Sequence, residues 1–172
     1  MSLKGKRIAI FLENIYEDAE FWYPYYRMKE EGASVVAVAP KKETYKSKHG
    51  YPAEADQSID AVKADEFNAL IIPGGYAPDH MRRVPKMVEF TKKMHEQGKV
   101  IAAICHGGWM LASAGILMGK KVTSFFAIRD DMVNAGAMWE NREMVKDGNL
   151  ITSRMPGDLP SFCKAIIESL SS

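Results

Sequence analysis

The stretch that decides the fold is Val100-Ile101-Ala102-Ala103-Ile104-Cys105-His106-Gly107-Gly108-Trp109-Met110-Leu111. Its first five residues are apolar and include β-branched side chains, which is typical of a buried strand in a parallel sheet. The strand ends at Cys105, and the small residues after it predict the start of a helix. This pattern is typical of a nucleophile elbow, a strained strand-to-helix turn that carries the nucleophile. The residues two before and two after it, Ala103 and Gly107, are small, as such a turn requires.

Cys105 is therefore the predicted nucleophile. Unpaired backbone N–H groups at a helix start and the positive end of its dipole favour a thiolate, so this position predicts a lowered thiol pKa. An elbow turn can also bring the imidazole of His106 beside the thiol, where it accepts the thiol proton and returns it to a leaving group. The second cysteine, Cys163, lies on the apolar stripe of the last predicted helix and is interpreted as a core residue.

Composition narrows the class of protein. The 172 residues predict one domain, 1–172, and with 23 Lys and Arg against 22 Asp and Glu they contain no basic stretch dense enough to indicate a nucleic-acid partner. No apolar run approaches membrane-spanning length, which predicts no membrane partner and a cytoplasmic location. Two cysteines and no His or Cys pairs at ligand spacing predict no metal site. Dinucleotide and phosphate-binding glycine motifs are absent, so no organic cofactor is predicted.

Strands and helices alternate along the chain. Strands are predicted at 7–12, 34–39, 69–72, 100–104, 121–124 and 150–153, and helices at 21–31, 87–97, 107–114 and 159–170. Such alternation predicts an α/β fold with a mainly parallel sheet between helices. Pro24 falls in the first turn of its predicted helix, where proline is tolerated. The polar segment 76–80 is predicted to be a loop that projects from the sheet.

Ligands of open α/β sheets bind outside the carboxyl ends of the strands. The acidic cluster Glu13, Glu17, Asp18 and Glu20 follows the first strand there, although the residues alone do not single out Glu17. Glu13, Asp18 and Glu20 are interpreted as a solvated, acidic helix start. The run Pro73-Gly74-Gly75 closes another strand, and its free N–H groups indicate either an oxyanion site or merely a tight turn.

Several motifs in a fixed order carry a wider resemblance, which runs from about Lys6 to Leu170. They are Tyr16-Glu17-Asp18 with Tyr23-Pro24, Lys48-His49-Gly50-Tyr51, Ile72-Pro73-Gly74-Gly75, Ala103-Ile104-Cys105-His106-Gly107, Asp130-Asp131-Met132-Val133-Asn134-Ala135-Gly136 and Thr152-Ser153-Arg154-Met155-Pro156-Gly157-Asp158-Leu159. In these motifs the chain resembles the PfpI family of intracellular protease-like proteins. That group includes the Parkinsonism-associated deglycase and, more distantly, class I glutamine amidotransferase domains. The resemblance implies a flavodoxin-like three-layer sandwich with a nucleophile elbow.

The resemblance also implies roles for site residues. Glu17 is expected to contact the Cys105 sulfur as a protonated carboxyl, because a carboxyl beside a thiolate has a raised pKa and becomes a donor. The N–H groups of Gly75 and His106 are expected to form an oxyanion hole. In PfpI-type members an acid after the Gly-Gly loop reaches the catalytic histidine across a subunit boundary. Asp79 occupies that position in place of the more familiar Glu. The implied partner is a second copy of the chain, in a homodimer or higher homo-oligomer.

Two departures from the family pattern concern the pocket. The family commonly continues Cys-His-Gly with Pro, whereas this chain continues with Gly108 and Trp109, which changes the pocket wall. Close PfpI-type relatives carry Tyr at the position of Phe125, which is expected to contact the substrate. Phe125 has no hydroxyl group and cannot perform a proton transfer assigned to that Tyr.

These observations predict a cysteine-dependent PfpI-type enzyme, a protease or other hydrolase, that acts on a small carbonyl or peptide substrate without a cofactor. A glyoxalase or deglycase reaction on methylglyoxal-type carbonyls uses the same nucleophile and is equally compatible with the residues. The hypothesis from another class is a non-catalytic redox-sensing stress protein, in which Glu17 stabilises an oxidised Cys105. His106 and Asp79 favour the enzyme, because a sensor needs no proton shuttle.

Overall fold

The computed structural model describes residues 2–171. Its strands are β1 (Arg7–Phe11), β2 (Ser34–Ala39), β3 (Thr44–Lys46), β4 (Pro52–Glu54), β5 (Gln57–Ser58), β6 (Ala69–Ile72), β7 (Val100–Ile104), β8 (Lys121–Val122), β9 (Met138–Trp139), β10 (Met144–Asp147) and β11 (Leu150–Ser153). Seven of them form the main sheet in the order β10-β11-β7-β6-β1-β2-β5. Every neighbouring pair in this sheet is parallel except β10 with β11. The pairs β3-β4 and β8-β9 form small separate sheets.

The helices cover both faces of this sheet. They are α1 (Asp18–Glu30), α2 (Ala77–Arg82), α3 (Pro85–Glu96), α4 (Gly108–Ser113), α5 (Arg129–Asn134) and α6 (Leu159–Ser171). Helix α1 packs against α6, whereas α2, α3 and α4 pack against one another. The predicted α/β sandwich with a mainly parallel sheet is therefore confirmed. Within residues 2–171, no helix combines the length and apolarity needed to cross a bilayer.

The central strands are apolar throughout because helices cover both of their faces. Every residue of β6 and β7 is buried, and the two strands run parallel with Ile72 opposite Ala103. The carboxyl ends of β1, β6 and β7 consequently lie at one edge of the sheet. The segments that follow these three strands meet there, and they carry most of the candidate site.

Helix α1 begins at Asp18, three residues before its predicted start, so Pro24 lies inside the helix. The Glu17 side chain caps the helix by accepting a hydrogen bond from the Ala19 N–H over 3.4 Å. The Asp18 carboxylate in the first turn interacts favourably with the positive end of the helix dipole. Pro24 cannot donate to the carbonyl of Glu20. The helix continues through it because this face is buried against the core.

The prediction of a projecting loop at 76–80 is wrong, because this segment enters helix α2. Pro78 occupies the first helical turn, where its missing N–H costs nothing. Ala77 and Met81, one turn apart, are both fully buried, and this contact stabilises the short helix. Asp79 lies in its first turn.

The hairpin formed by β3 and β4 was not predicted from the sequence. Its strands have three residues each and pair antiparallel with Tyr45 opposite Ala53. The hairpin matters for the site because the segment between its strands, residues 47–51, contacts the segment before α1 through a β-bridge between Tyr16 and Ser47. The Lys48-His49-Gly50-Tyr51 motif is thereby placed at the carboxyl end of the sheet.

Candidate active site

Cys105 lies at a nucleophile elbow between β7 and α4. Its φ is 60°, a left-handed conformation that a residue with a Cβ rarely adopts. A Cβ added at Gly107 would lie 2.7 Å from the carbonyl oxygen of Ile72 and 3.3 Å from the Cβ of Ala103. Direct crowding therefore explains why position 107 is glycine, since a side chain there would require a shift of the Ile72 backbone.

A pocket of about 350 Å³ opens above the elbow. Its lining residues are Ile15, Glu17, Glu20, Lys48, Gly75, Tyr76, Cys105, His106, Phe125, Met155 and Pro156. The structure thus brings together all of the predicted site residues except Asp79, and adds Glu20 and Lys48. Much of the remaining wall is apolar, including Ile15, Met155 and Pro156.

The carboxyl group beside the sulfur belongs to Glu20, which is fully buried. Its Oε1 accepts a hydrogen bond from the Gly74 N–H over 3.0 Å, and the carboxyl is also within hydrogen-bonding range of the Cys105 thiol. Burial, and then the charge of Glu17, raise the pKa of Glu20 to about 8. Its Oε2 is buried without a hydrogen-bond partner among the described residues, which disfavours a negative charge on this carboxyl group.

The contact expected of Glu17 is therefore made by Glu20, and the interpretation of Glu20 as solvated is wrong. The Glu17 carboxylate instead caps α1 and forms an ion pair with Lys48 at the pocket wall. The two glutamates lie three residues apart on one side of the first turn, so both face the pocket. The three-residue spacing of Glu17 and Glu20 could have indicated that both face one site. It was not recognised because the helix was predicted to begin only at Phe21, after both glutamates.

The environment of the Cys105 thiol opposes the predicted lowering of its pKa. Burial, and then the Glu20 carboxylate, raise the pKa of this thiol, whereas hydrogen bonds from the His106 and Gly75 N–H groups and the charge of Lys48 lower it. Cys105 itself lies in a short 3₁₀ turn, and α4 begins only at Gly108, so the helix dipole starts beyond the sulfur. When Glu20 is protonated its negative charge is absent, and a thiolate is favoured by a donor rather than opposed by a charge.

His106 is placed to exchange a proton with Cys105. Its Nδ1 lies 3.2 Å from the Cys105 Sγ. Burial, and then the charge of Lys48, lower the pKa of His106, while the charge of Asp131 opposes them. The imidazole is therefore neutral near pH 7 and can accept the thiol proton.

Two aromatic residues pack against the imidazole. The ring centroids of Trp109 and Phe125 each lie 5.0 Å from that of His106. The indole Nε1 of Trp109 donates a hydrogen bond of 2.9 Å to Asp131, which fixes this wall of the pocket. Both departures from the family pattern thus contact the histidine directly, and Phe125 supplies a ring but no hydroxyl.

Asp79 is not among the residues that line this pocket. It lies on α2, where its Oδ2 pairs with the Arg83 guanidinium over 2.5 Å. Its expected contact with the histidine of another subunit stays a prediction. Within residues 2–171, no group of three or more His, Cys, Asp or Glu side chains is arranged to hold a metal ion.

Replacing Glu20 by Gln is expected to flatten the pH dependence of folding stability. The folded protein keeps the Glu20 proton up to about pH 8, whereas the unfolded chain releases it near 4.5. Between these values the folded state binds the extra proton, so its stability falls as pH rises, by about 1.4 kcal/mol per pH unit. Gln is neutral throughout, so Glu20→Gln removes this slope and is the more stable protein above pH 8.

Urea denaturation across this pH window measures the effect. Glu54 is an exposed glutamate in β4, and Glu54→Gln is the matched control that should keep the slope of the parent protein. An unchanged slope in Glu20→Gln would show that Glu20 is ionised in the folded protein.

Comparison with known proteins places this chain in a known family. The sequence model of the DJ-1/PfpI family matches residues 6–169 of this chain. Deglycase PfpI of Pyrococcus furiosus is 46% identical over 95% of this chain and 99% of its own length. Protein/nucleic acid deglycase 2 of Escherichia coli is 38% identical over 96% of this chain and 98% of its own.

A solved structure from Anabaena variabilis contains DJ-1/ThiJ/PfpI-like and ferritin-like domains. It superimposes with a TM-score of 0.94 and 46% identity, over 96% of this chain. The chain spans only 48% of that two-domain protein, so the likeness concerns one part of it.

Proposed function

This chain belongs to the DJ-1/PfpI family and is an enzyme of the hydrolase or deglycase type, and from that premise we propose that it is a cysteine-dependent deglycase for small carbonyl compounds. The observation that carries the proposal is the meeting of Cys105, His106 and Glu20 at the base of a pocket of about 350 Å³. This volume is sufficient for a three-carbon carbonyl compound. The deglycase names of two relatives support the same class.

The first step is attack of the Cys105 Sγ on an aldehyde carbon. The thiol proton passes to Nδ1 of His106, 3.2 Å away, and then to the carbonyl oxygen of a free aldehyde, which gives a hemithioacetal. With a glycated amine, a hemiaminal, the C–S bond forms as the C–N bond breaks, and the same proton goes to the departing amine; the product is the same hemithioacetal and a free amine. The N–H groups of Gly75 and His106, which face the sulfur, stabilise the negative charge on that oxygen. A protonated Glu20 donates to the sulfur and disfavours its premature protonation by solvent.

The second stage is an internal rearrangement. For a 2-oxoaldehyde, a proton leaves the carbon that bears sulfur and another is added to the neighbouring carbon, which converts the hemithioacetal into a thioester. One carbon of the substrate is oxidised and its neighbour is reduced, so the electrons balance. Water then cleaves the thioester, releasing a 2-hydroxy acid and the Cys105 thiol. In this scheme the proton carriers are His106 and Glu20, since Phe125 has no hydroxyl group.

Asp79 completes the site in trans under this proposal. Helix α2 begins directly after Tyr76, a pocket residue, so Asp79 lies three residues beyond the pocket lining, in the first turn of α2. We propose that the Asp79 carboxylate of a second subunit reaches the other ring nitrogen of His106 in a symmetric homodimer or a larger homo-oligomer. A cytoplasmic location is proposed with it, because both cysteines are free thiols and the nucleophile requires a reducing compartment.

Peptide hydrolysis is the second candidate, favoured by the short distance between Cys105 and His106, which a cysteine peptidase also requires. Purified protein should be assayed with methylglyoxal, with a methylglyoxal-treated peptide and with fluorogenic peptides. Consumption of methylglyoxal and recovery of the free amine are the expected results. Cys163→Ala is the matched cysteine control and should retain activity, because Cys163 is buried on α6. Turnover of fluorogenic peptides alone would favour the peptidase, and no turnover of any substrate would overturn both enzyme candidates.

A further inference from the structure

The segment of residues 47–51 between β3 and β4 carries a motif to which the proposed mechanism gives no role. Within it, Lys48 lines the same pocket as Cys105, and its ammonium group forms an ion pair with Glu17. The Lys48 side chain is 44% exposed and that of Glu17 is 11% exposed, so the pair lies at the pocket mouth with the carboxylate on its inner side. A lysine held in this way is a fixed positive charge.

The backbone around Lys48 is tied to the start of α1. The Asp18 carboxylate accepts a hydrogen bond of 2.6 Å from Ser47 Oγ and contacts His49 Nδ1 at 2.8 Å. The Lys48 N–H donates to the Tyr16 carbonyl over 2.9 Å. Contacts on both sides of Lys48 therefore fix where its side chain starts, and Glu17 fixes where its ammonium group ends.

Several charged or titratable groups share this environment. These groups are Glu17 before α1, Asp18 and Glu20 in α1, His49 next to Lys48, Tyr76 before α2, Cys105 and His106 at the elbow, and Asp131 in α5. Among these, Lys48 is the one permanent cation, and its charge acts on Glu20, Cys105 and His106 alike. A positive charge stabilises the anionic form of the first two and disfavours the cationic form of the third.

We propose that Lys48 is a positioning residue of this site, whose fixed charge stabilises the Cys105 thiolate and keeps His106 neutral. It acts through Cys105 and His106, so both are biased toward the forms that nucleophilic attack requires. The inference rests on the proposed function only for the use made of the thiolate. The ionisation itself is measured without turnover, so failure of the deglycase assay and failure of this inference are distinguishable.

The experiment compares Lys48→Met with Lys48→Arg. Alkylation of Cys105 by iodoacetamide is followed by mass spectrometry as a function of pH, with the buried Cys163 as internal reference. Iodoacetamide is neutral, so Lys48 does not attract it. Lys48→Met is expected to slow alkylation at neutral pH by about tenfold, the ratio that corresponds to one pKa unit, and to move the profile to higher pH. Lys48→Arg keeps the charge and should restore the parent profile.

A second readout separates charge from structure. In Lys48→Met the pKa of His106, followed by the NMR shifts of its ring protons, is expected to rise together with that of Cys105. Collapse of the loop alone has no reason to move both values in the direction that removal of a positive charge requires. The control is Lys46→Met, an exposed lysine of the same hairpin that does not line the pocket, and it should change neither value.

Two results would overturn the inference. One is an unshifted alkylation profile in Lys48→Met. The other is a profile in Lys48→Arg that moves as far as that of Lys48→Met. Because arginine retains the positive charge, an equal shift would come from a disturbed loop and not from the loss of charge.

Discussion

Cys105→Ala and Cys105→Gly are both expected to lower turnover of a small carbonyl substrate by about 10³-fold or more, yet to differ in folding stability. Either substitution removes the sulfur that forms the covalent bond, so the remaining hydrogen-bond donors of the pocket have no intermediate to stabilise. The Gly variant should be the more stable of the two by roughly 0.5–1 kcal/mol. The two variants thus separate the chemical role of position 105 from its conformational role.

The difference in stability follows from the backbone at the elbow. Cys105 has a φ of 60°, where a Cβ approaches the following carbonyl group, and Ala retains that strain. Gly relieves it, although part of the gain is lost because glycine has more freedom in the unfolded chain.

Cys163 provides the matched control for this pair, since it lies inside helix α6 and is buried. There the order should reverse, with Cys163→Gly less stable than Cys163→Ala by about 1 kcal/mol. Urea denaturation gives the four free energies of unfolding. If Ala is the more stable residue at position 105 as well, the elbow is not strained in the folded protein.

The elbow could be predicted from the sequence because its determinants are local. A buried strand, a cysteine and small residues at fixed offsets all lie within one short stretch, and the crowding between Gly107 and the backbone of Ile72 explains why position 107 is glycine. The parallel sheet was predicted for a similar reason, since continuous apolar runs such as β7 identify strands covered on both faces.

The carboxyl group beside the sulfur could not be assigned in this way. Its identity depends on the residue at which α1 begins and on the approach of the segment after β6 to that helix. The hydrogen bond from the Gly74 N–H to Glu20 joins residues that are 54 positions apart. The resemblance implied Glu17 for this contact, and the interpretation of Glu20 as solvated left it outside the predicted helix, whereas Glu20 lies in the first turn of α1 and is fully buried.

The thiol pKa shows the limit of a local electrostatic argument. The helix start suggested a thiolate, but the helix begins after the elbow, and burial together with a nearby carboxyl group has the larger effect on Cys105. Burial is a property of the assembled pocket and has no signature in the motif itself. The short elements α2 and the β3-β4 hairpin escaped prediction for a related reason, because tertiary contacts rather than periodicity stabilise them.

Loss of Asp79 is expected to lower activity by orders of magnitude in the assembled protein, because an acid at the far nitrogen of His106 fixes the tautomer and orientation of the ring. In the single chain Asp79 pairs with Arg83, on a helix that begins beside the pocket. A two-fold axis that brings α2 of one subunit to the elbow of another would place this carboxylate against the partner's histidine, reciprocally at both sites. Asp60→Ala is the matched control, since Asp60 is an exposed acid that pairs with Lys86 outside the pocket, and it should leave activity unchanged.

Mixing of two inactive variants tests whether the acid acts in trans. Asp79→Ala keeps its own Cys105, and Cys105→Ala keeps its own Asp79, so a mixed dimer contains one site with both groups intact. After subunit exchange at equal concentrations, half of the dimers are mixed and activity should recover to about a quarter of the parent value. Exchange itself is verified by native mass spectrometry of differently labelled chains. Mixed dimers that form but stay inactive, or a fully active Asp79→Ala monomer, would show that Asp79 does not complete the site of its partner.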